Sequence, residues 1–190
     1  MTENWLPHKT PLLIVDVQLA IDDPKWGPRN NPDAERKIAA LLAAWRQAAL
    51  PVIHIRHDST EPQSTYRENS PGHPFKPEAA PIDGELVIGK SVNSAFIGTE
   101  LEAILRKMDC GTIAVCGVLT HNSVEATVRH GGNLGFRVLL AADACWSVDV
   151  TDLTGRHWPA EDVHQLSLAV MNGEYAEVTS AAALIAAARP

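Results

Sequence analysis

Short apolar runs alternate along the chain with longer segments whose apolar residues recur at helical spacing. A short continuous apolar run indicates a buried strand of a parallel sheet, whereas apolar residues repeating along one face indicate an amphipathic helix. The runs predict strands at residues 11–17, 51–57, 84–90, 112–118, 136–143 and 175–180. The helical spacing predicts helices at residues 33–48, 99–108, 123–135, 160–172 and 181–188.

Strands that alternate with helices through short links predict a parallel sheet covered by helices on both faces. The whole chain, residues 1–190, reads as a single α/β domain without an internal repeat. One connection differs, because residues 58–84 are polar, rich in proline and too long for an ordinary turn. Loops of that length are usually functional or flexible, so we expect this loop to act as a lid that sets substrate choice.

Composition and charge narrow the class of protein. Of 190 residues, 45% are hydrophobic and 21% are charged, and the net charge of −7 is spread along the chain without a basic stripe. We therefore expect neither a nucleic-acid partner nor a membrane partner. The segment MTENWLPHKTP lacks the charged and apolar regions of a signal peptide, and no apolar run is long enough to span a bilayer. Cys110, Cys116 and Cys145 lack metal-site spacing and read as reduced packing residues, which predicts a cytoplasmic protein.

The predicted sheet directs attention to the residues that follow its strands. In open parallel sheets the ligand crevice lies outside the carboxyl ends of the strands, where the strand order reverses. The positions to inspect are Asp16, His57, Lys90, the turn at 118–123 and Asp143.

Asp16 and Lys90 are the charged residues that end two of these apolar runs. A carboxylate at the end of a buried strand is costly unless it is solvated, paired or used in chemistry. Asp16 therefore reads either as a catalytic residue or as a carboxylate that ties down a loop, and Gln18 points to the same side if the strand continues. Lys90 reads either as a plain exposed strand terminus or, with the polar run after it, as part of a site wall.

The turn at 118–123 belongs to the segment GVLTHNSVEATVRHGGNLGF, in which a strand leads into a helix. The start of a helix offers unpaired backbone N–H groups and a positive dipole end, which suit a developing oxyanion. The same field would lower the pKa of a thiol placed there. Ser123 occupies the position where an α/β enzyme usually carries its nucleophile.

These motifs resemble the isochorismatase-like superfamily, often called cysteine hydrolases. The resemblance runs through IVDVQ, GKSVNSAFIGTELEAILR, VCGVLTHNSVEATVRHGGNLGFRVLLAADAC and AEDVHQLSLAVMNGEYAEV, nearly the whole chain. It implies a six-stranded parallel sheet in a three-layer, Rossmann-like α/β/α sandwich. It also implies a catalytic triad of Asp16, Lys90 and the residue at position 123.

The resemblance further implies a substrate-binding turn. A cis peptide bond is expected between Val118 and Leu119, where it would aim the N–H groups of Leu119 and position 123 at the substrate carbonyl oxygen. We expect Thr120, Asn122 and Gln18 to lie beside the substrate as well.

Position 123 departs from the family, which normally has cysteine there. A serine hydroxyl is much harder to ionise than a thiol, and an aspartate is a poor base for it without help. Four explanations stay open: an engineered Cys-to-Ser substitution, a natural serine nucleophile, chemistry without a covalent step, or a binding protein without activity.

His54, His57 and Asp58 form a sequence cluster that could suggest a metal site. In nicotinamidases of the superfamily an Asp/His metal site lies after the second strand, but this chain lacks the Trp-Pro-x-His-Cys stretch that accompanies it. We expect a core role for His54, no metal and no cofactor. Trp26, Trp146 and Trp158 are predicted in loops, and His164 is predicted to pack or to face another subunit.

The sequence therefore predicts a hydrolase that cleaves an amide, ureido or related C–N bond of a small molecule through Asp16, Lys90 and Ser123. One alternative is a vinyl-ether hydrolase, because isochorismatases proper use the first-strand aspartate as a general acid. The other is a non-catalytic relative that binds a small molecule. A homo-oligomer, dimer or tetramer, is expected.

Overall fold

The computed structural model describes residues 6–188. Residues 1–5 of the segment MTENWLPHKTP, which lacks the features of a signal peptide, lie outside this range. None of the helices in the described range has the length and apolar character needed to cross a bilayer.

A central sheet of six parallel strands organises the molecule, which confirms the predicted fold class. The strands of the chain are β1 (Leu12–Val15), β2 (Val52–His57), β3 (Leu86–Lys90), β4 (Thr112–Val118), β5 (Arg137–Trp146), β6 (Val150–Thr151), β7 (His157–Trp158) and β8 (Glu177–Thr179). The sheet order is β3-β2-β1-β4-β5-β8, and every neighbouring pair is parallel. The short strands β6 and β7 form a separate antiparallel hairpin.

Five α-helices flank the sheet within residues 6–188. They are α1 (Ala34–Gln47), α2 (Leu101–Lys107), α3 (Glu125–Asn133), α4 (Ala160–Met171) and α5 (Ala181–Ala187). Helix α1 packs against α5, and α3 packs against α4. In α1 the helical spacing of Ile38, Leu41 and Trp45 places all three side chains in the core, with no exposed surface.

The two central strands explain why their sequences are apolar without interruption. All residues of β1 and β4 are buried, because helices cover the sheet on both sides. The chain leaves β1 towards β2 and β3 in one direction, and leaves β4 towards β5 and β8 in the other. The strand order therefore reverses between β1 and β4, and the crevice expected at such a reversal opens at their carboxyl ends.

Several predicted boundaries were wrong. Helix α2 begins at Leu101 rather than at residue 99, with Glu100 as its N-cap. Strand β5 continues to Trp146, so this tryptophan is a buried strand residue and not a loop residue. Helix α3 begins at Glu125 and ends at Asn133, inside the predicted range 123–135. Within it, a Cβ at Gly132 would lie 2.9 Å from the carbonyl oxygen of Tyr175, so glycine lets the two segments approach.

Candidate active site

A cavity of about 330 Å³ opens at the carboxyl ends of β1 and β4. Asp16, His57 and Ser123 line it from the strand ends, and Trp26 and Tyr66 line it from the connecting loops. Tyr66 meets Trp26 edge to face at 6.2 Å and His57 at 5.6 Å between ring centroids. The cavity thus combines an aromatic wall with a small group of polar side chains.

The side chain of Lys90 connects these polar groups. Its ammonium nitrogen Nζ lies 2.6 Å from Asp16 Oδ2, 3.3 Å from Ser123 Oγ and 3.2 Å from His57 Nδ1. The side chain has no exposed surface, so the ammonium depends on these partners instead of water. Since an ammonium group has three donors, the three neighbours account for all of its protons.

Asp16 stands directly after β1 in a left-handed conformation, with φ of 56°. Such a conformation is uncommon outside glycine, although aspartate tolerates it better than most residues, and strain of this kind concentrates at functional sites. Burial raises the pKa of Asp16 above the ordinary value of an aspartate, and the nearby Lys90 ammonium opposes this rise. Its second oxygen, Oδ1, is buried and has no hydrogen-bond partner among the described residues.

Ser123 is buried within a wide π-helical turn, Thr120–Val124, that precedes α3. The sequence predicted the helix to begin at residue 123, so the π-helical turn is a correction. Oγ accepts a hydrogen bond from Lys90, which leaves the hydroxyl proton free for another acceptor. The hydroxyl also contributes, less than Lys90, to lowering the pKa of Asp16. Asp16 is the carboxylate held beside this hydroxyl, because Lys90 binds both side chains.

The segment before Ser123 makes a sharp change of direction. The peptide bond between Val118 and Leu119 is cis. The carbonyl oxygen of Leu119 accepts hydrogen bonds from the N–H groups of Asn122, at 3.0 Å, and Val124, at 3.2 Å. Val118 and Leu119 both line the cavity, as does Asn122. The turn is therefore closed by its own backbone directly beside the cavity.

Gly117 allows β4 to approach β1 where the turn begins. Its φ is 128°, and a Cβ at this position would lie 2.2 Å from the carbonyl oxygen of Val15. We predict that Gly117→Ala lowers the free energy of unfolding by about 3 kcal/mol or more, because it adds overlap with a buried backbone to an unfavourable φ. Urea unfolding followed by circular dichroism measures the change.

Gly135→Ala is the matched control for that substitution. Gly135 also has a positive φ, 84°, but nothing lies within 4 Å of its missing Cβ. The control should cost about 1 kcal/mol, the strain of the backbone alone. Equal losses in the two variants would contradict the close approach at Gly117.

Two residues predicted to lie beside the substrate are placed elsewhere. The amide of Gln18 is fully buried: Nε2 donates to the carbonyl oxygens of His57 and His73, and Oε1 accepts from the His57 N–H. Thr120 is also fully buried, and its hydroxyl hydrogen-bonds His164 Nδ1 at 2.8 Å. Both residues hold loops and do not line the cavity, because their side chains are used by neighbouring polar groups.

His164, on α4, supports the turn that carries Ser123. The sequence could place this histidine only as packed or as facing another subunit. Besides its bond to Thr120, it lies 3.4 Å from the Asn31 amide. From the same helix, Ser167 Oγ donates to Glu125 Oε2 at 2.5 Å and lies 3.2 Å from the carbonyl oxygen of Thr120. The turn is thus held from behind by side chains remote in sequence.

The sequence analysis placed His57 among the strand-end positions of the expected crevice and also in a possible metal cluster with His54 and Asp58. The structure separates that cluster: His54 bonds Glu85 at 2.8 Å, Asp58 pairs with Arg56, and His57 faces Lys90. Among the described residues, no group of three or more His, Cys, Asp or Glu side chains could hold a metal ion. The position of His57 at the end of β2, which the sequence analysis singled out, brings it to the cavity.

Asp143 was another strand-end position, and it lies outside the site. Its Oδ2 pairs with Lys37 at 3.1 Å, and its Oδ1 accepts from the Ala181 N–H at 2.7 Å. It falls inside β5, since the strand runs longer than predicted. This carboxylate connects the sheet to α1 and α5.

The long loop 58–84 forms one wall of the cavity. Ser64 and Tyr66 line the cavity, and the Tyr66 hydroxyl donates to the Asp16 carbonyl oxygen at 3.4 Å. The loop is fastened at its far end, where Lys76 pairs with Asp22 and Glu35. The wall that it provides is therefore tied to the segment after β1.

Comparison with known proteins places these features in a wider group. The model of the isochorismatase domain matches residues 10–183. The crystal structure of an isochorismatase-family protein from Chromobacterium violaceum superposes with a TM-score of 0.93 at 55% identity, covering 99% of this chain and 95% of that chain.

Two curated relatives extend the comparison. The uncharacterized isochorismatase family protein YrdC of Bacillus subtilis is 39% identical over 180 residues, which cover 95% of this chain and 96% of the relative. A streptothricin hydrolase of Streptomyces noursei is 34% identical over 142 residues, which cover 73% of this chain and 50% of the relative.

Proposed function

The chain belongs to the isochorismatase family, and from this premise we propose that it hydrolyses a C–N bond in a small-molecule amide, ureide or related compound. Asp16 acts as the base, Lys90 as the electrostatic partner and Ser123 as the nucleophile. Membership of the family supports a hydrolase. The type of bond that is cleaved and the roles of the three residues are our proposal.

The observation that carries the proposal is the shared environment of Lys90. Its ammonium donates to Asp16 Oδ2 at 2.6 Å and to Ser123 Oγ at 3.3 Å, so the two side chains are held side by side. The free oxygen of Asp16, Oδ1, has no other hydrogen-bond partner in the described part of the chain. A base with a vacant oxygen beside a hydroxyl is the arrangement that nucleophilic catalysis requires.

The first chemical step joins the substrate to the protein. Ser123 Oγ attacks the substrate carbonyl carbon while its proton moves to Asp16 Oδ1, and a tetrahedral oxyanion forms. Burial favours this proton transfer, because it raises the pKa of Asp16 and makes the carboxylate a stronger base. The C–N bond then breaks, and the leaving nitrogen must receive a proton.

The backbone of the turn is proposed to bind the oxyanion. The N–H groups of Leu119 and Ser123 would donate to it, at the start of the helical segment where the backbone dipoles favour negative charge. The Lys90 ammonium adds a positive charge next to Oγ. In the second step Asp16, a carboxylate again after giving up its proton, takes a proton from a water molecule that attacks the ester carbonyl. The same proton passes to the departing Ser123 oxygen, which releases the acid product and restores the hydroxyl.

The dimensions of the cavity favour a small substrate. A volume of about 330 Å³ lies at the lower end of the range for ligand sites. The aromatic wall of Trp26, Tyr66 and His57 would contact a planar or apolar part of the molecule. The relative named streptothricin hydrolase supports hydrolysis of a small molecule in this group of proteins.

A vinyl-ether hydrolase is the second candidate, and the environment of Asp16 favours it. A general acid must carry a proton at the working pH, and burial raises the pKa of Asp16 in that direction. In this route Asp16 protonates the substrate, and Ser123 forms no covalent bond.

We predict that the protein releases ammonia or an amine from at least one compound in a panel of small primary amides, ureides and carbamoyl compounds. Enzyme-coupled ammonia detection and mass spectrometry of the acid product measure the reaction. The Ser123→Ala variant serves as the control, since it keeps the cavity but cannot form the ester. Equal turnover by the control would exclude the covalent route through Ser123. Tight ligand binding without turnover would favour a binding protein.

A further inference from the structure

We propose that His57 is a further catalytic residue, which passes a proton from Lys90 to the leaving nitrogen of the substrate. This inference rests on the proposed hydrolysis of a C–N bond. In this role His57 supplies the proton that the departing nitrogen requires.

The contact with Lys90 determines which ring nitrogen of His57 carries the proton. Lys90 Nζ lies 3.2 Å from His57 Nδ1, and an ammonium group can only donate. Nδ1 is therefore the acceptor, and the ring proton of the neutral imidazole is on Nε2. Burial and the Lys90 charge lower the pKa of His57, which keeps the ring neutral.

The second ring nitrogen is available to a substrate. Nε2 makes no hydrogen bond within residues 6–188 and is not among the enclosed polar atoms of that range. The ring itself lines the cavity. Its orientation is fixed by the edge of Tyr66 at 5.6 Å and by Gln18, which hydrogen-bonds both the N–H and the carbonyl oxygen of His57. A positioned N–H donor thus faces the space where the substrate binds.

Asp16 is poorly placed to deliver this proton itself. Its Oδ2 is held at 2.6 Å by Lys90, and its Oδ1 is buried. The His57 ring lines the cavity together with the loop residues Ser64 and Tyr66, so a leaving group directed towards the loop would lie beside it. The acid for the nitrogen and the base for the hydroxyl are therefore different groups.

The proton transfers balance over the acylation step. The Ser123 proton moves to Asp16 Oδ1, and a C–O bond forms as the carbonyl electrons move to oxygen. As the C–N bond breaks, its electron pair takes the proton from His57 Nε2, and His57 Nδ1 takes a proton from Lys90. The proton on Asp16 then passes to the neutral Lys90 amine, which restores carboxylate and ammonium. The resting imidazole is recovered when the ring proton returns to Nε2.

The test compares two substrates that share an acyl group, a simple amide and a p-nitrophenyl ester. Nitrophenolate leaves without a proton, whereas an amine cannot. In His57→Asn the amide oxygen lies near the former position of Nδ1 and can accept a hydrogen bond from Lys90. The asparagine side chain cannot pass a proton from Lys90 to the leaving nitrogen. We expect kcat for the amide to fall by about 10²-fold and kcat for the ester to change by less than about threefold. Ester and amide losses of the same size would overturn the proposal, and so would an unchanged amide rate.

Two further measurements separate this inference from the proposed function. His73→Gln is the matched control, because His73 bonds Asp58 at 2.7 Å outside the cavity, and its amide rate should stay within about threefold. If neither the parent protein nor its Ser123→Cys variant hydrolyses either substrate, the proposed function is refuted, and the role of His57 is refuted with it. Proton–nitrogen NMR of ¹⁵N-labelled histidine tests the tautomer directly: His57 protonated on Nδ1 at neutral pH would overturn the relay even in an active enzyme.

Discussion

Replacing Asp16 by asparagine is expected to lower kcat/KM for the amide substrate by about 10³-fold. Asparagine has nearly the same shape and can still accept a hydrogen bond from Lys90 through its amide oxygen. It cannot take the Ser123 proton, and the ion pair with Lys90 at 2.6 Å is lost. The rate should fall while the circular dichroism spectrum stays that of the parent.

The pH dependence of the parent identifies the role of Asp16. The base must be deprotonated, so kcat/KM should fall as the pH drops through the pKa of Asp16, which burial raises. The acidic limb of the pH–rate profile therefore lies at a higher pH than the pH at which an ordinary aspartate titrates. A general acid would give the opposite limb, with activity lost as the pH rises. A pH–rate profile of the amide reaction therefore distinguishes Asp16 acting as a base from Asp16 acting as an acid.

Asp143→Asn is the control for this substitution. Its carboxylate also follows a run of apolar strand residues, but it pairs with Lys37 and caps α5 away from the cavity. Asparagine keeps the oxygen that accepts from Ala181, so we expect the rate to stay within about twofold. A comparable loss in both variants would contradict a specific role for Asp16.

The second large effect is expected at Ser123. Ser123→Ala should lower kcat by about 10³-fold or more, because it removes the attacking atom. Ser123→Cys should raise kcat by about tenfold or more, because a thiol ionises far more readily than a hydroxyl and is the stronger nucleophile. Both variants keep the size of the side chain close to that of serine. Initial rates of amine release measure both changes.

Labelling of the thiol variant gives an independent result. Cys110, Cys116 and Cys145 are free but buried, and burial raises the pKa of all three thiols. A mild alkylating agent should therefore modify Ser123→Cys once and the parent hardly at all, as peptide mass spectrometry would show. A position 123 thiol that resists alkylation and gives no turnover would contradict the assignment of a nucleophile site.

The order of elements and the core were predictable from the sequence because they depend on local periodicity. Continuous apolar runs such as those of β1 and β4 occur where a strand is covered on both faces, and the spacing in α1 identifies its buried face. The boundaries were less predictable. Trp146 extends β5 because a register shift between Val115 and Gly117 lets the ladder with β4 continue, a property of the pair of strands.

The sequence also determined which residues reach the carboxyl edge of the sheet. Asp16, Lys90 and Ser123 each stand at or after the end of a predicted strand, and parallel strands bring these ends together regardless of the details of packing. Their direct contacts through Lys90 were an implication of the family resemblance, and the geometry of the structure supplies the distances.

Only the tertiary structure decided between residues that look alike in the sequence. His54 and His57 lie on the same strand, yet one bonds Glu85 and the other faces Lys90. Gln18 and Thr120 are polar residues next to the site, but loops distant in sequence use their side chains. The local sequence pattern predicts where the backbone of a residue lies in the fold. The hydrogen-bond partner of its side chain depends on which polar groups, remote in sequence, are buried beside it and need a partner. That competition is settled only when the whole chain is packed.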